Sequence, residues 1–382
     1  MQDNKKKILI FIDWFLPGYK AGGPIRSVAN IVEHLSAVFD FTIITSDRDF
    51  GSTIPYENIA TDRFINKDKY KIIYLSPENQ NKTKYIELIN KIDFDVVYFN
   101  SLFSVKFALL PLRLIKKQKN NVKIILAPRG MLGQGALSIK KTKKQIFLAV
   151  SKFLGLFKNI TWHATDSVEV EDIKKHFGQK SDIQLVSNIS EKIKPYTKRE
   201  KNITKFIFLS RIAEKKNLLF AIKLFQKIQT NEKLIFSIYG TNEEKDYLEK
   251  CYIQAKNTIK NTEIEFKGEL QHENVHEVLS EHHFYILPTL HENFGHSIFE
   301  AFSAGCPVII SDQTPWRNLE EKKVGWDISL KNTEKFLEVI QYCIGMNQDD
   351  YDKISENAFN FAKKIANDKS VIEKTQKMFG NE

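Results

Sequence analysis

The run "HENFGHSIFEAFSAGCPVIISD", residues 291–312, concentrates groups that can do chemistry. Glu292 and Glu300 bracket Phe294, Gly295 and His296. Two carboxylates suggest either paired acid–base work or two acceptors for hydroxyl groups. The surrounding pattern predicts a strand over "HFYILP" ending at Pro288, a loop "TLHENFG", and a helix "HSIFEAFSAG" closed by Gly305. The start of that helix falls near Gly295, where free backbone N–H groups and the positive end of the dipole favour an anion. Gly295 carries no Cβ to keep a phosphate away. Taken singly, Glu292 also reads as a solvated loop residue and Glu300 as a solvated helix residue; the strand–loop–helix context gives them weight.

Two further stretches have matching chemistry. In "FLSRIAEKKN", residues 208–217, a strand ends near Ser210, and Arg211 and Lys216 follow in the next loop. Arg can fork onto a diphosphate and Lys can act as a point charge, although such a loop is also ordinary surface in a basic protein. In "GYKAGGPIRSVANIV", residues 18–32, Gly22 and Gly23 precede a helix with Pro24 at its first position. This reads as a turn or as a second anion-friendly loop. It is neither a Gly-x-Gly-x-x-Gly fingerprint nor a Walker loop, so a nicotinamide cofactor is not expected. His163 in "TWHATD" falls near a strand end, and Arg129 stands in "APRGML". Each reads as substrate-binding or as a satisfied structural residue.

The elements that must hold these residues alternate. Apolar strand runs occur at "KILIFI", "FTIIT", "YKIIYL", "DVVYF", "VKIILA" and "IQLV", then at "KFIFLS", "KLIFSIYG", "EIEFKG", "HFYILP" and "PVIIS". Helical patterns lie between them, such as Ile25–Ala37, Phe107–Gln118, Lys144–Phe157, Leu218–Ile228 and Glu243–Thr258. Such alternation predicts parallel sheets covered by helices. The polar stretch "SNISEKIKPYTKREKNITK", residues 187–205, marks a join. The expected architecture is α/β: two doubly wound Rossmann-like domains with a cleft between them, at 1–195 and 196–360, and a terminal helix over 361–382.

Bulk properties narrow the classes. The chain has 382 residues, 42% hydrophobic and 27% charged, which are globular values. No apolar run approaches the ~18 residues of a membrane span. The start "MQDNKKKILIFIDWFLPG" mimics a signal peptide, but Asp13 interrupts the apolar run and no small-residue cleavage site follows. Three cysteines (Cys251, Cys306, Cys343) show no Cys-x-x-Cys spacing, so a reducing cytoplasm is expected, with no zinc or disulfide framework. The net charge of +10 is uneven: residues 96–165 hold 13 Lys and Arg and no acid, leaving 44 basic against 47 acidic elsewhere. That stretch, with "RLIKKQK" and "KKTKK", is either a solvated face or one that meets anionic lipid. No nucleic-acid motif accompanies it, so nucleic acid is not expected.

Together the chain resembles a retaining glycosyltransferase of the GT-B fold, in glycosyltransferase family 4 (group 1). The matching residues are Gly22-Gly23, "SRIAEKKN", "SIYG" at 237–240, "EFKGEL" at 265–270, the run at 291–312, and "TPWRNL" followed by "VGW". The resemblance implies that Arg211 and Lys216 hold a donor diphosphate, Glu300 a ribose, and Glu292 the donor sugar. It implies that backbone groups of Phe294, Gly295 and His296 approach sugar or phosphate, that the loop around Gly268 faces the base, and that Gly23 approaches the diphosphate. It also implies that the last helix crosses back to the first domain. Two places depart from the family pattern: Arg129 stands where many relatives have His-Gly, and Asn100 in "VVYFNSLF" takes the place of a second histidine.

The implied reaction moves a sugar from a UDP- or GDP-sugar to a hydroxyl acceptor with retention, in bacterial surface polysaccharide or lipopolysaccharide synthesis. Neither metal nor cofactor is expected, since no Asp-x-Asp stands at a strand end and cations can stabilise the leaving diphosphate. The acceptor is a saccharide or a lipid-linked one, met by a peripheral protein at the inner face of the cytoplasmic membrane. The alternatives are a nucleotide-sugar epimerase of the same architecture and a non-catalytic protein that binds anionic lipid or a polyanion.

Overall fold

A computed structural model describes residues 5–119, 121–138, 141–257 and 261–380. Lys140 of "KKTKK" and Thr258, the expected end of a helix, lie outside the described residues. The chain divides into two compact units, Met1–Ile189 with Lys369–Glu382, and Ser190–Asp368.

The first unit is built on eight strands: β1 (Lys6–Phe11), β2 (Phe39–Ser46), β3 (Phe64–Asn66), β4 (Lys71–Leu75), β5 (Val96–Phe99), β6 (Lys123–Leu126), β7 (Thr161–Ala164) and β8 (Asp182–Leu185). Their order is β3-β4-β2-β1-β5-β6-β7-β8. Every pairing is parallel except β3 with β4. The sheet is therefore mixed rather than purely parallel. The exception is a three-residue edge strand, "FIN", too short for an apolar period to announce it. The central strands are apolar on both faces because both faces are covered. Leu9, Phe11, Val97 and Phe99 join one core cluster, while Ile8, Ile10, Val96 and Tyr98 join another. The terminal helix Lys369–Phe379 belongs to this unit. Its Phe379 ring lies 5.6 Å from Phe39 and 5.5 Å from Tyr98, and the Gly380 carbonyl accepts from Lys6 Nζ at 2.6 Å.

The second unit carries β9 (Thr204–Leu209), β10 (Leu234–Tyr239), β11 (Thr262–Gly268), β12 (Phe284–Leu287), β13 (Val308–Ser311) and β14 (Gly325–Ile328), in the order β11-β10-β9-β12-β13-β14 and parallel throughout. The chain builds outward from β9 to β11, then returns to the other side of β9 for β12. Crossovers on the two sides of that point diverge and leave a crevice beyond the carboxyl ends of β9 and β12.

Both unit boundaries differ from the expected 195 and 360. Residues 190–195 join the second unit: Ile193 packs on its core and Glu191 Oε2 lies 3.4 Å from His272 Nε2. Just beyond them the Tyr196 hydroxyl lies 3.1 Å from Ser355 Oγ, and Arg199 is buried under two helix ends. At the other end the helix Gln348–Ala366 is continuous, and Phe361 packs 5.2 Å from Phe302 within the same core. The unit therefore ends at Asp368.

Candidate active site

Arg211 follows β9, and Lys216 closes a short 3-10 turn, Glu214–Lys216. Asn217 comes next in the left-handed conformation at φ 58°, which Asn tolerates better than most residues. Its Nδ2 donates to the Pro288 carbonyl at 3.0 Å, tying this turn to the end of β12. Thr289 Oγ1 and the Leu290 N–H both donate to the Lys215 carbonyl, at 3.0 and 2.8 Å. From the other side, Ser311 Oγ donates to the Thr289 carbonyl at 2.5 Å and the Glu292 N–H to the Gln313 carbonyl at 2.9 Å. The Glu292 loop is thus laced between the loops that follow β9 and β13.

That lacing brings charge together. Lys216 Nζ is hydrogen-bonded to Glu292 Oε1, and each side chain is only 12% exposed. Arg211 Nη1 donates to Glu243 Oε2 at 2.8 Å. Burial works to raise the Glu292 carboxyl, but Lys216, Lys215 and Arg211 together outweigh it and hold Glu292 below the ordinary glutamate value. Lys215 is drawn below the ordinary lysine value by burial, against the pull of Glu292. Three cations therefore face two carboxylates at a strand switch point. A dianionic group arriving there would meet charge-assisted donors held on a laced scaffold, the nearly buried Lys216 among them.

The helix His296–Ser303 starts beside this cluster in sequence, with Gly295 as its N-cap at φ 77° and ψ 63°. A side chain at Gly295 would also put a Cβ 2.8 Å from Ile298 Cδ1. The Phe294 carbonyl accepts from Trp316 Nε1 at 2.6 Å, which fixes the turn before the helix. Phe294 is buried against Trp316, and its ring lies 4.8 Å from His296. The buried Tyr285 hydroxyl on β12 donates to the Leu209 carbonyl at 3.2 Å and accepts from Ser297 Oγ at 2.8 Å, so one phenol ties β9, β12 and the helix start. The far end of the helix is held by Arg199, which donates to the carbonyls of Ala304 and Gly305 at 2.5 and 2.7 Å. Another Arg199 nitrogen donates to Leu279 at the end of a neighbouring helix, at 3.1 Å. A cation at two helix C-termini is favoured by both dipoles. Gly305, at φ 66°, leaves no room for a Cβ, which would meet the Tyr196 ring at 2.5 Å.

Glu300 is buried on this helix. His272 lies beside it, with Nδ1 3.9 Å from Glu300 Oε1 and Nε2 3.4 Å from Glu191 Oε2. The ligand atoms of Glu191, His272 and Glu300 all lie within 4.8 Å of one another. Glu191 and Glu300 approach opposite nitrogens of the one imidazole. Gly268 ends β11, and its carbonyl accepts from the Gly240 N–H at 2.8 Å.

In the first unit a separate network joins the other sequence-derived residues. Gly22 is the N-cap of the helix Gly23–Leu35, and the Pro24 carbonyl in its first turn accepts from Asn100 Nδ2 at 3.0 Å. Asn100 Oδ1 accepts from Arg129 Nε at 2.5 Å, Asn188 Oδ1 from Arg129 Nη1 at 2.5 Å, and the Tyr98 hydroxyl from Arg129 Nη2 at 2.6 Å. His163 Nε2 bonds the Val186 carbonyl at 2.9 Å, so it carries the proton. Nδ1 therefore accepts from the Tyr98 hydroxyl at 2.8 Å. Burial, with Arg129 behind it, holds the His163 imidazole down to about 3 despite the Val186 carbonyl. Both His163 nitrogens are used, and the side chain is buried.

Lys215, Arg199, Tyr285, His272 and Asn188 carry no mark in the sequence. Nothing in a lysine-rich loop or a polar join distinguishes the member that turns inward.

The comparisons with known proteins concern family and fold. Residues 188–361 match the family model described as "Glycosyl transferases group 1". No curated protein sequence gives a significant match. Among solved structures, the chain is similar to HepE from Anabaena in complex with UDP and glucose, at a TM-score of 0.71 and 14% identity, over 98% of each chain. It is similar to sucrose-phosphate synthase from Thermosynechococcus elongatus at 0.74 and 15%, again over 98% of each chain. It is also similar to a variant of TarM from S. aureus, in complex with fondaparinux, alpha-GlcNAc-glycerol and UDP, at 0.70 and 14%, over 98% of this chain and 100% of that one. At these identities the likeness is one of fold. The two Rossmann-like units have the GT-B fold, and with the domain match over 188–361 they support a GT-B glycosyltransferase.

Proposed function

We propose that this protein transfers a sugar from a nucleoside diphosphate donor, a UDP- or GDP-sugar, to a hydroxyl of a saccharide or lipid-linked acceptor, with retention at the anomeric carbon. The observation that carries the reading is the Lys216–Glu292 pair at the β9/β12 switch point, with Lys215 and Arg211 beside it. In this reading Arg211 and Lys216 take the diphosphate, and the N–H groups of Gly295 and His296 support its charge. Released from Lys216, Glu292 turns to the hydroxyls of the donor sugar. Glu300, with His272 beside it, accepts from the ribose. The C1–O bond to the diphosphate breaks, the acceptor oxygen replaces it, and the acceptor proton leaves with the released diphosphate. The protein cations carry the leaving-group charge, so the step is written without a metal. UDP in the HepE and TarM structures makes UDP-sugars the first donors to try.

Bacterial surface polysaccharide or lipopolysaccharide synthesis, on the cytoplasmic side of the membrane, is the setting we propose. The test is a panel of UDP- and GDP-sugars offered with simple glycoside and lipid-linked acceptors, following released nucleotide and the product's anomeric proton by NMR. The reading expects acceptor-dependent release and a product of the donor's configuration. An inverted product would remove retention, and a changed sugar nucleotide with no acceptor consumed would point to an epimerase.

A further inference from the structure

The helix Lys141–Phe153 in the first unit is apolar on the wrong side. Its inward face uses Leu148 and Phe147, the latter 5.5 Å from Phe103 and 6.4 Å from Phe157. Its outward face carries Ile146, Ala149, Val150 and Phe153, and Leu154 follows just past its end, at spacings of three, four, seven and eight that align them on one stripe. Ile146 is 59% exposed, Val150 49%, Phe153 90% and Leu154 70%. A helix on a water-facing surface normally turns polar side chains outward. Single exposed apolar residues mean little, but a contiguous stripe marks an interaction surface.

Basic groups surround the stripe. Lys143 and Lys152 lie on the same helix, both exposed, and Lys158 follows the turn at Gly155. Burial lowers the His176 imidazole and Lys175 and Lys152 add to it, which places the end of the helix Ser167–Phe177 near Lys152. The nearest acids in sequence are Asp166, the N-cap of that neighbouring helix, and Glu169, buried in its first turn; farther along, Glu171 is paired with Lys174 at 2.9 Å and Asp172 lies near Lys175. The turn that carries Leu154 is pinned from behind, since Lys116 Nζ donates to the carbonyls of Leu156 and Lys158 at 2.9 and 2.5 Å. An apolar stripe ringed by lysines, in a stretch of 70 residues without an acid, matches a surface that is apolar beneath and negative on top.

We infer that this helix face docks on a bilayer with anionic headgroups, with Phe153 and Leu154 inserted among the acyl chains and Lys143, Lys152 and Lys158 at the phosphates. The helix lies in the interface and does not cross it; no described helix is long and apolar enough to span a membrane. This surface stands independently of the transfer reaction, and its test does not use activity.

The experiment is vesicle flotation of the full chain with phosphatidylcholine alone and with roughly one third phosphatidylglycerol. Wild type is expected to float with the anionic vesicles, to leave them at high salt, and to ignore the neutral ones. The pair Phe153→Ser and Leu154→Ser is expected to weaken binding at least ~10-fold, with an unchanged melting temperature because both side chains are outside the core. Lys143→Gln with Lys152→Gln is expected to lower affinity severalfold while leaving the fold intact. No flotation with either vesicle would overturn the inference. So would a dimer in sedimentation velocity that Leu154→Ser breaks, which would make the stripe a contact between copies. Vesicle binding that survives Phe153→Ser and Leu154→Ser while heparin competes for it would reassign the surface to polyanions.

Discussion

The Lys216–Glu292 centre and the Arg129–Tyr98–His163 chain both place buried polar groups at strand ends, and they spend their hydrogen bonds differently. In the first unit all three Arg129 nitrogens reach fixed partners, and the series ends at a backbone carbonyl through a neutral imidazole. Each member is satisfied by the next, so a ligand would have to break the network to use it. In the second unit the cations are held by carboxylates rather than by backbone. Glu292 and Glu243 are side chains that can turn away, leaving Lys216 and Arg211 in place on a laced scaffold. A closed network stabilises the fold, whereas an exchangeable ion pair keeps a site charged and dry until an anion replaces the acid. In the proposed reading the first is a structural cluster and the second a working one, although both contain residues that read as candidates in the sequence.

The comparison is most exposed to a change in the exchangeable pair. Lys216→Ala and Glu292→Gln are expected to lower kcat by ~100-fold or more, the size found when a preorganised charge partner is removed from an active site. Steady-state rates on a working donor–acceptor pair check this, and near-normal turnover in either variant would strip that residue of its role. Arg211→Ala comes next. Its expected effect is on donor binding, a ~10- to 100-fold rise in KM for the sugar nucleotide with a smaller change in kcat, as for loss of one charge-assisted contact.

Changes to the closed network should show up in stability. Tyr98→Phe leaves Arg129 Nη2 and His163 Nδ1 without their partner, at an expected cost of about 1–3 kcal/mol. Chemical denaturation measures that loss, and donor KM should stay within about twofold, or ~0.4 kcal/mol, since a cluster whose bonds all go to the protein makes none to the donor. A large KM change there would erase the distinction between the two regions. The closed network should also make stability depend on pH. An unfolded histidine takes its proton near pH 6.5, whereas folded His163 does so only at about 3. Between those values the unfolded chain binds the extra proton, so stability falls as pH falls, by at most about 1.4 kcal/mol per unit from this group. Nitrogen-15 NMR of labelled histidine should show His163 still neutral at pH 5. Titration near 6.5 would mean that the network opens to water. His282 and His283, held down to about 4 by burial, act in the same direction in the second unit.

The strands that position both regions were legible in the sequence because parallel strands covered on two faces read as unbroken apolar runs, as in "KILIFI" and "HFYILP". The edge strands β3 and β14 were not, since three or four residues beside polar loops carry no period. The loops with Arg211, Lys216 and Glu292 were visible as the segments after strands, and the resemblance supplied their proposed roles. What holds them was hidden. Arg199 sits in a polar join that reads as solvated linker, yet it is buried under two helix ends. Lys215 is one basic residue among several, and its burial is decided by a turn that only the folded loop defines. The stripe on Lys141–Phe153 was hidden for the opposite reason. Its helix is apolar on two faces, and spacing alone does not say which face is covered.

Equilibrium binding of UDP by titration calorimetry, with GDP alongside, tests the central claim most directly. The Lys216–Glu292 centre predicts one nucleoside diphosphate bound per chain, weakened at least ~10-fold by Arg211→Ala and by Lys216→Ala and unchanged by Tyr98→Phe. Binding that ignores the first two substitutions, or that is lost with Tyr98→Phe in a folded protein, would contradict it.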